Sequence, residues 1–89
     1  MTGADLIFQE RNRQIKEEGW TTEHDKEHSQ EQLVQAAICY ALPERFRFLK
    51  ELFWAWDEKW WKPKDRIKDL VRAGALIAAE IDRLQREAE

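Results

Sequence analysis

The chain has 89 residues, 37 % of them charged and 43 % hydrophobic, and a formal net charge of −3. That describes one domain, residues 1–89, whose core is small enough that a partner subunit would help, since a chain of this size buries only about 60–65 % of its unfolded surface. The acidic sum repels a long polyanion, which excludes general binding to nucleic acid.

A first helix is predicted from about Thr2 to Glu18, with Thr2 as N-cap, Asp5 in the first turn and Gly19 just past the end. Its apolar stripe is short, Ala4, Ile7, Phe8 and Ile15. Arg11 and Gln14 adjoin the stripe and point either into a cleft or into solvent. Residues 19–28 read as an ordered loop. Ser29 and Gln32 form a capping box for a second helix, which runs to about Leu42 with Leu33, Ala36, Ala37 and Tyr40 inward, and Pro43 ends it. Cys39 lies in this apolar stretch and has no second cysteine to pair with, so it reads as a packing residue.

Residues 44–56 alternate briefly as a strand would, but their good helix formers favour a short helix. Pro63 is placed to open the last helix, which extends to about Arg86 with Asp65 in its first turn. Ile67, Leu70, Gly74, Ile77, Ile81 and Leu84 form its long apolar stripe, and the small residues from Ala73 to Ala79 invite another backbone to approach closely. The expected fold is all-α, three main helices plus one short helix. No stretch has the length of a membrane span and none reads as a signal peptide, so a reducing cytosol is the expected location.

The most unusual feature is the tryptophan content. Trp54, Trp56, Trp60 and Trp61 fall within eight residues and lead into Lys62-Pro63-Lys64, with Trp20 as the fifth. Charge is concentrated there too. Residues 59–72 hold Lys59, Lys62, Lys64, Arg66, Lys68 and Arg72 against Asp65 and Asp69, a balance of +4 inside an acidic chain.

Several strings together resemble a small family encoded in tailed phages and prophages. They are Glu10-Arg11, Gly19-Trp20-Thr21, Glu23-His24-Asp25 with His28, Ala36-Ala37 with Tyr40, Trp60-Trp61-Lys62-Pro63, and the run from Asp69 to Ile77 followed by Ala79-Glu80-Ile81. The resemblance spans most of the chain. It departs at Ala55, where the family has proline between two tryptophans. It implies a phage setting, a bacterial host cytosol and an accessory role such as countering host defence, and it carries no activity over to this chain.

Three constellations could carry chemistry. An indole can stack on a planar heterocycle, and phosphate suits a helix start with free N–H groups. Trp60, Trp61, Lys62, Lys64 and Arg66 therefore read as an anion-plus-ring site. Arg11 and Gln14 would be opposing contacts, and Trp20 would close the same pocket. The same tryptophans could instead wedge two helices together. His24, Asp25 and His28 have the i, i+4 spacing of a chelating pair, but they read more simply as a polar loop, and no metal or cofactor is assigned. Asp69 and Glu80 share one face of the last helix about 16 Å apart, with Glu80 expected to pair with Arg11.

The leading expectation is a non-enzymatic phage accessory protein that binds and sequesters a small phosphorylated, nucleotide-like ligand. A second is docking on a host defence protein through exposed tryptophans. A third is a magnesium-dependent nucleoside triphosphate pyrophosphatase-like enzyme, of whose acidic pattern Glu17, Glu18 and Glu23 are a partial echo. A homo-oligomer through the thin face of the last helix is also expected. No membrane and no long nucleic acid are expected as partners.

Overall fold

The computed structural model describes residues 1–17 and 31–88. Within them the chain is all-α. Helix α1 is Gly3–Glu17, α2 is Gln32–Ala41, the one-turn α3 is Lys50–Phe53, and α4 is Arg66–Ala88; 3-10 turns occupy Glu44–Leu49 and Glu58–Trp60. The three main helices and the short one are those expected, and no strand occurs among the described residues. Gly19, Trp20, the group His24, Asp25 and His28, and the cap Ser29 lie outside the described residues.

Each helix starts for a local reason. Thr2 Oγ1 accepts the Asp5 N–H at 3.1 Å and Asp5 Oδ2 accepts the Thr2 N–H at 2.9 Å, a reciprocal cap that begins α1. Before α2, Glu31 sits in the left-handed region at φ 74°, costly for a residue with a Cβ. Leu42 ends α2 in an extended conformation, φ −56° and ψ 131°, which the following proline imposes.

Helix α4 begins at Arg66, not at Pro63. The cap is Asp65, whose Oδ1 accepts the Lys68 N–H at 2.9 Å. Residues 61–65 stay outside the helix, and the Lys64 N–H reaches forward to Asp69 Oδ1 at 2.7 Å.

The core joins α2 to α4. Leu33, Ala36, Ala37 and Tyr40 meet Ala73, Leu76 and Ala79, all 3 % exposed or less. Alanine on both sides lets the two backbones come close, as the small-residue run predicts, but the visitor is α2 of the same chain. The Ile and Leu stripe of α4 is consequently not the buried face. Ile67, Leu70, Ile77, Ile81 and Leu84 range from 42 to 67 % exposed. Their side chains are too bulky for the close approach that α2 makes. Gly74 is the exception, because Ile7 of α1 fills the space where a side chain would stand, its Cδ1 only 2.5 Å from an ideal Cβ position.

Candidate functional site: an indole between two ammonium groups

Three of the four clustered tryptophans turn inward and one turns out. Trp54, Trp56 and Trp61 pack partly buried against the α2–α4 core. Tyr40 meets Trp61 at 4.7 Å between centroids and Trp54 at 5.8 Å, edge on. Trp54 in turn meets Trp56 at 5.5 Å and Trp61 at 5.0 Å, both edge to face. These offset and edge contacts suit the aromatic quadrupole and make a stable wedge. The indole N–H groups of Trp54 and Trp56 are satisfied, by Asp57 O at 3.2 Å and Gln32 Oε1 at 3.4 Å. The wedging expected of the segment therefore holds for these three.

Trp60 is different. It is 56 % exposed, with Lys59 Nζ at 5.4 Å and Lys62 Nζ at 5.7 Å from its ring centroid. Its backbone is fixed even though its ring is exposed. Tyr40 Oη donates to Trp60 O at 3.3 Å and accepts the Lys62 N–H at 3.1 Å. Arg72 Nη1 donates to the same hydroxyl at 3.2 Å and to Lys62 O at 3.4 Å. An exposed indole with two cations over its ring, on a pinned backbone, can take a planar ring in exchange for an ammonium contact and hold an anion.

The other residues expected at the site are placed as follows. Trp61 is part of the wedge, with Arg47 Cζ at 5.4 Å and Lys50 Nζ at 5.2 Å from its ring. Arg66 is taken up by the fold, its guanidinium donating to Leu42 O at 2.8 Å and Ala41 O at 2.9 Å, the open carbonyls at the end of α2. The start of α4 is not a free anion cradle either, because the carboxylates of Asp65 and Asp69 already accept the N–H groups of Lys68 and Lys64. Lys64 itself is exposed.

Arg11 and Gln14 do not face Trp60 directly. They belong to a buried polar layer between α1 and α4. Arg11 Nη2 donates to Asp82 Oδ2 at 3.3 Å, and Gln14, 1 % exposed, donates to Glu10 Oε2 at 3.2 Å. The expected Glu80–Arg11 pair is replaced by Glu80–Arg83, at 2.5 and 3.2 Å, one turn along the same helix and therefore reached at less entropic cost. Glu10 holds Arg13 with two bonds of 2.7 Å and faces Arg72 Nε at 3.8 Å. Burial pushes the Glu10 carboxyl up, but the Arg13 and Arg72 charges outweigh it and leave it below the usual value of 4.5. Arg72 thus touches both regions, the Glu10 layer on one side and the Tyr40–Lys62 knot on the other.

Arg72 and Tyr40 carry the geometry of the site, and neither was singled out for it by the sequence. Only the density of cations around residue 62 pointed that way. Cys39 is 0 % exposed, with Sγ 3.7 Å from Lys50 O, and burial pushes its thiol up to about 11, so it packs and does not attack. Among the described residues no three acids, histidines or cysteines come together as a metal site. No described helix is long and apolar enough to cross a membrane. No protein-family model matches the chain, and neither a curated protein nor a solved structure matches it. The functional reading therefore rests on geometry.

Proposed function

We propose that the protein binds a small phosphorylated, nucleotide-like ligand, with the ring on Trp60 and the phosphates on Lys59, Lys62 and Lys64. One observation carries this reading: the exposed indole of Trp60 lies between two ammonium groups on a backbone held by Tyr40 and Arg72. Stacking on an indole is worth about 1–3 kcal/mol per base. The lysines add charge-assisted bonds without a general base, so capture suffices. In the phage setting that the family resemblance implies, capture of a host defence signal is the matching role. The reading also takes the chain as self-associating, since α4 turns five large apolar side chains outward.

A second reading has its own observation. Glu10 faces Arg72, which also bonds Lys62 O beside Trp60, and Glu80 pairs with Arg83 further along α4, so α1 and α4 carry carboxylates and guanidiniums of the kind a magnesium-dependent nucleotide hydrolase would need. Each of these carboxylates is paired with arginine, which favours binding over turnover.

Calorimetric titration with mono-, tri-, cyclic and dinucleotides, with and without magnesium, tests both once the products are analysed. Capture predicts a bound, unchanged ligand. Affinity should fall about 10- to 150-fold in Lys62→Ala, the cost of one charge-assisted bond. Trp60→Ala should abolish binding in a protein that still folds, because the ring is outside the wedge. Cleaved product would move the assignment to the hydrolase. If nothing binds, Trp60 becomes an anchor for a protein partner.

A further inference from the structure

The exposed stripe of α4 has a regular spacing. Ile67, Leu70, Gly74, Ile77, Ile81 and Leu84 follow one another at alternating intervals of three and four residues. That is the 3.5-residue repeat of a helix packing along another helix, narrower than the stripe of a helix lying on a globular core. Helix α2 does not cover it, and the five large members are 67, 42, 48, 50 and 50 % exposed in chain order. Only Gly74 is occupied, by Ile7 of α1, and the next residue, Phe8, is 69 % exposed.

We propose that this seam pairs with the same seam of a second copy, the two α4 helices running antiparallel about a two-fold axis near Gly74 and Ile77. Two observations select a second copy as the occupant. First, the pattern reads the same in both directions. Antiparallel pairing sets Ile67 against Leu84 and Leu70 against Ile81, with Ile7 over Gly74 filling the central layer opposite Ile77, and the two-fold axis repeats each layer.

Second, the ends of the helix are complementary in charge. Lys62, Lys64, Arg66 and Lys68 outnumber Asp65 and Asp69 at its start, while Glu80, Asp82 and Glu87 outnumber Arg83 and Arg86 at its end. Antiparallel pairing brings each basic start to an acidic end and opposes the two helix dipoles, whereas parallel pairing stacks like charges. The seam is about 25 Å long from Ile67 to Leu84. The thin alanine face expected to form the contact is covered by α2, and Ala75 is 0 % exposed. Trp60 and Lys62 precede α4, so the pairing does not depend on the ligand reading.

Sedimentation equilibrium at tens of micromolar tests the proposal. The wild-type chain should run at twice 10.7 kDa, and Ile77→Glu and Ile81→Glu should each run as the monomer with an unchanged far-ultraviolet helical signal. Both side chains are half exposed in the single copy, so the fold survives. Leu52→Glu, at a position 74 % exposed and off α4, should remain a dimer. Orientation is read by mild oxidation of cysteine variants while Cys39 stays buried. The Ile67→Cys and Leu84→Cys chains should crosslink with each other and neither with itself. A monomeric wild type overturns the proposal and leaves the seam to another protein. A dimer insensitive to both glutamates, or self-crosslinking of each single cysteine, overturns the face or the orientation.

Discussion

The hydroxyl of Tyr40 has three partners, two of them on the chain segment that carries Trp60. Tyr40→Phe keeps the ring packing and removes all three bonds. Stability in urea should fall by about 1–3 kcal/mol; an unchanged midpoint would show that the knot is ornamental. Asp69 is a sharper case, being 3 % exposed with Arg47 Nη2 at 2.8 Å. Arg47→Ala leaves that carboxylate buried with only the Lys64 N–H, and should cost about 3 kcal/mol by the same measurement. Arg66 looked from the sequence like a ligand contact but caps α2, so Arg66→Ala should lower stability while Lys59→Ala does not. Such roles were not legible because they are set by partners far along the chain, 24 and 25 residues away for Arg66 and 32 for Arg72 with Tyr40. The cations themselves were legible; what each one is bound to was not.

Between helices, two ionic groups set opposite pH limits. Glu10, between the guanidiniums of Arg13 and Arg72, has a folded pKa below its ordinary value of 4.5. Its stabilisation is present above that ordinary value and is lost as pH falls through the lower folded value. Lys50, held by Glu58 at 2.6 Å, has a pKa raised above 10.5 in spite of its burial. Its contribution is complete below 10.5 and disappears as pH rises through the folded value. Thermal unfolding followed against pH should show an acid limb that flattens in Glu10→Gln and an alkaline limb that flattens in Lys50→Met. The contact of Ile7 with Gly74 gives a packing test. Gly74→Ala gains helix propensity of about 1 kcal/mol but meets Ile7 Cδ1 and Cγ1 at 2.5 and 2.8 Å, so it should cost stability alone and be tolerated when combined with Ile7→Ala, which removes both atoms. Strict additivity of the two substitutions would mean that α1 does not press on Gly74.

For the molecule as a whole, the sequence carries the number and order of helices because caps, proline and periodicity are local. It does not carry which side of α4 faces inward. Both candidate sides look apolar in the sequence, one small and one bulky, and the choice is made by how near α2 can approach. The same limit applies to the tryptophans, since Trp60 and Trp61 are neighbours and only the tertiary contact with Tyr40 sends one in and leaves the other out. Self-association has a consequence for stability measurements. If two copies pair through the α4 seam, the apparent melting temperature should rise with protein concentration and should not in Ile77→Glu.

The Arg47–Asp69 bond joins positions 22 residues apart, and the tryptophan segment lies between them. In kinetic terms this is a latch. The amides of Trp60 and Trp61, bonded to Asp57 O and Glu58 O at 3.0 Å, would take up deuterium together, at a rate set by release of one guanidinium and not by fraying of a loop. Arg47→Ala would then turn a slow, cooperative exchange into a fast and piecemeal one. The stacking face would still be built of the same residues, but it would be in place for a smaller fraction of the time.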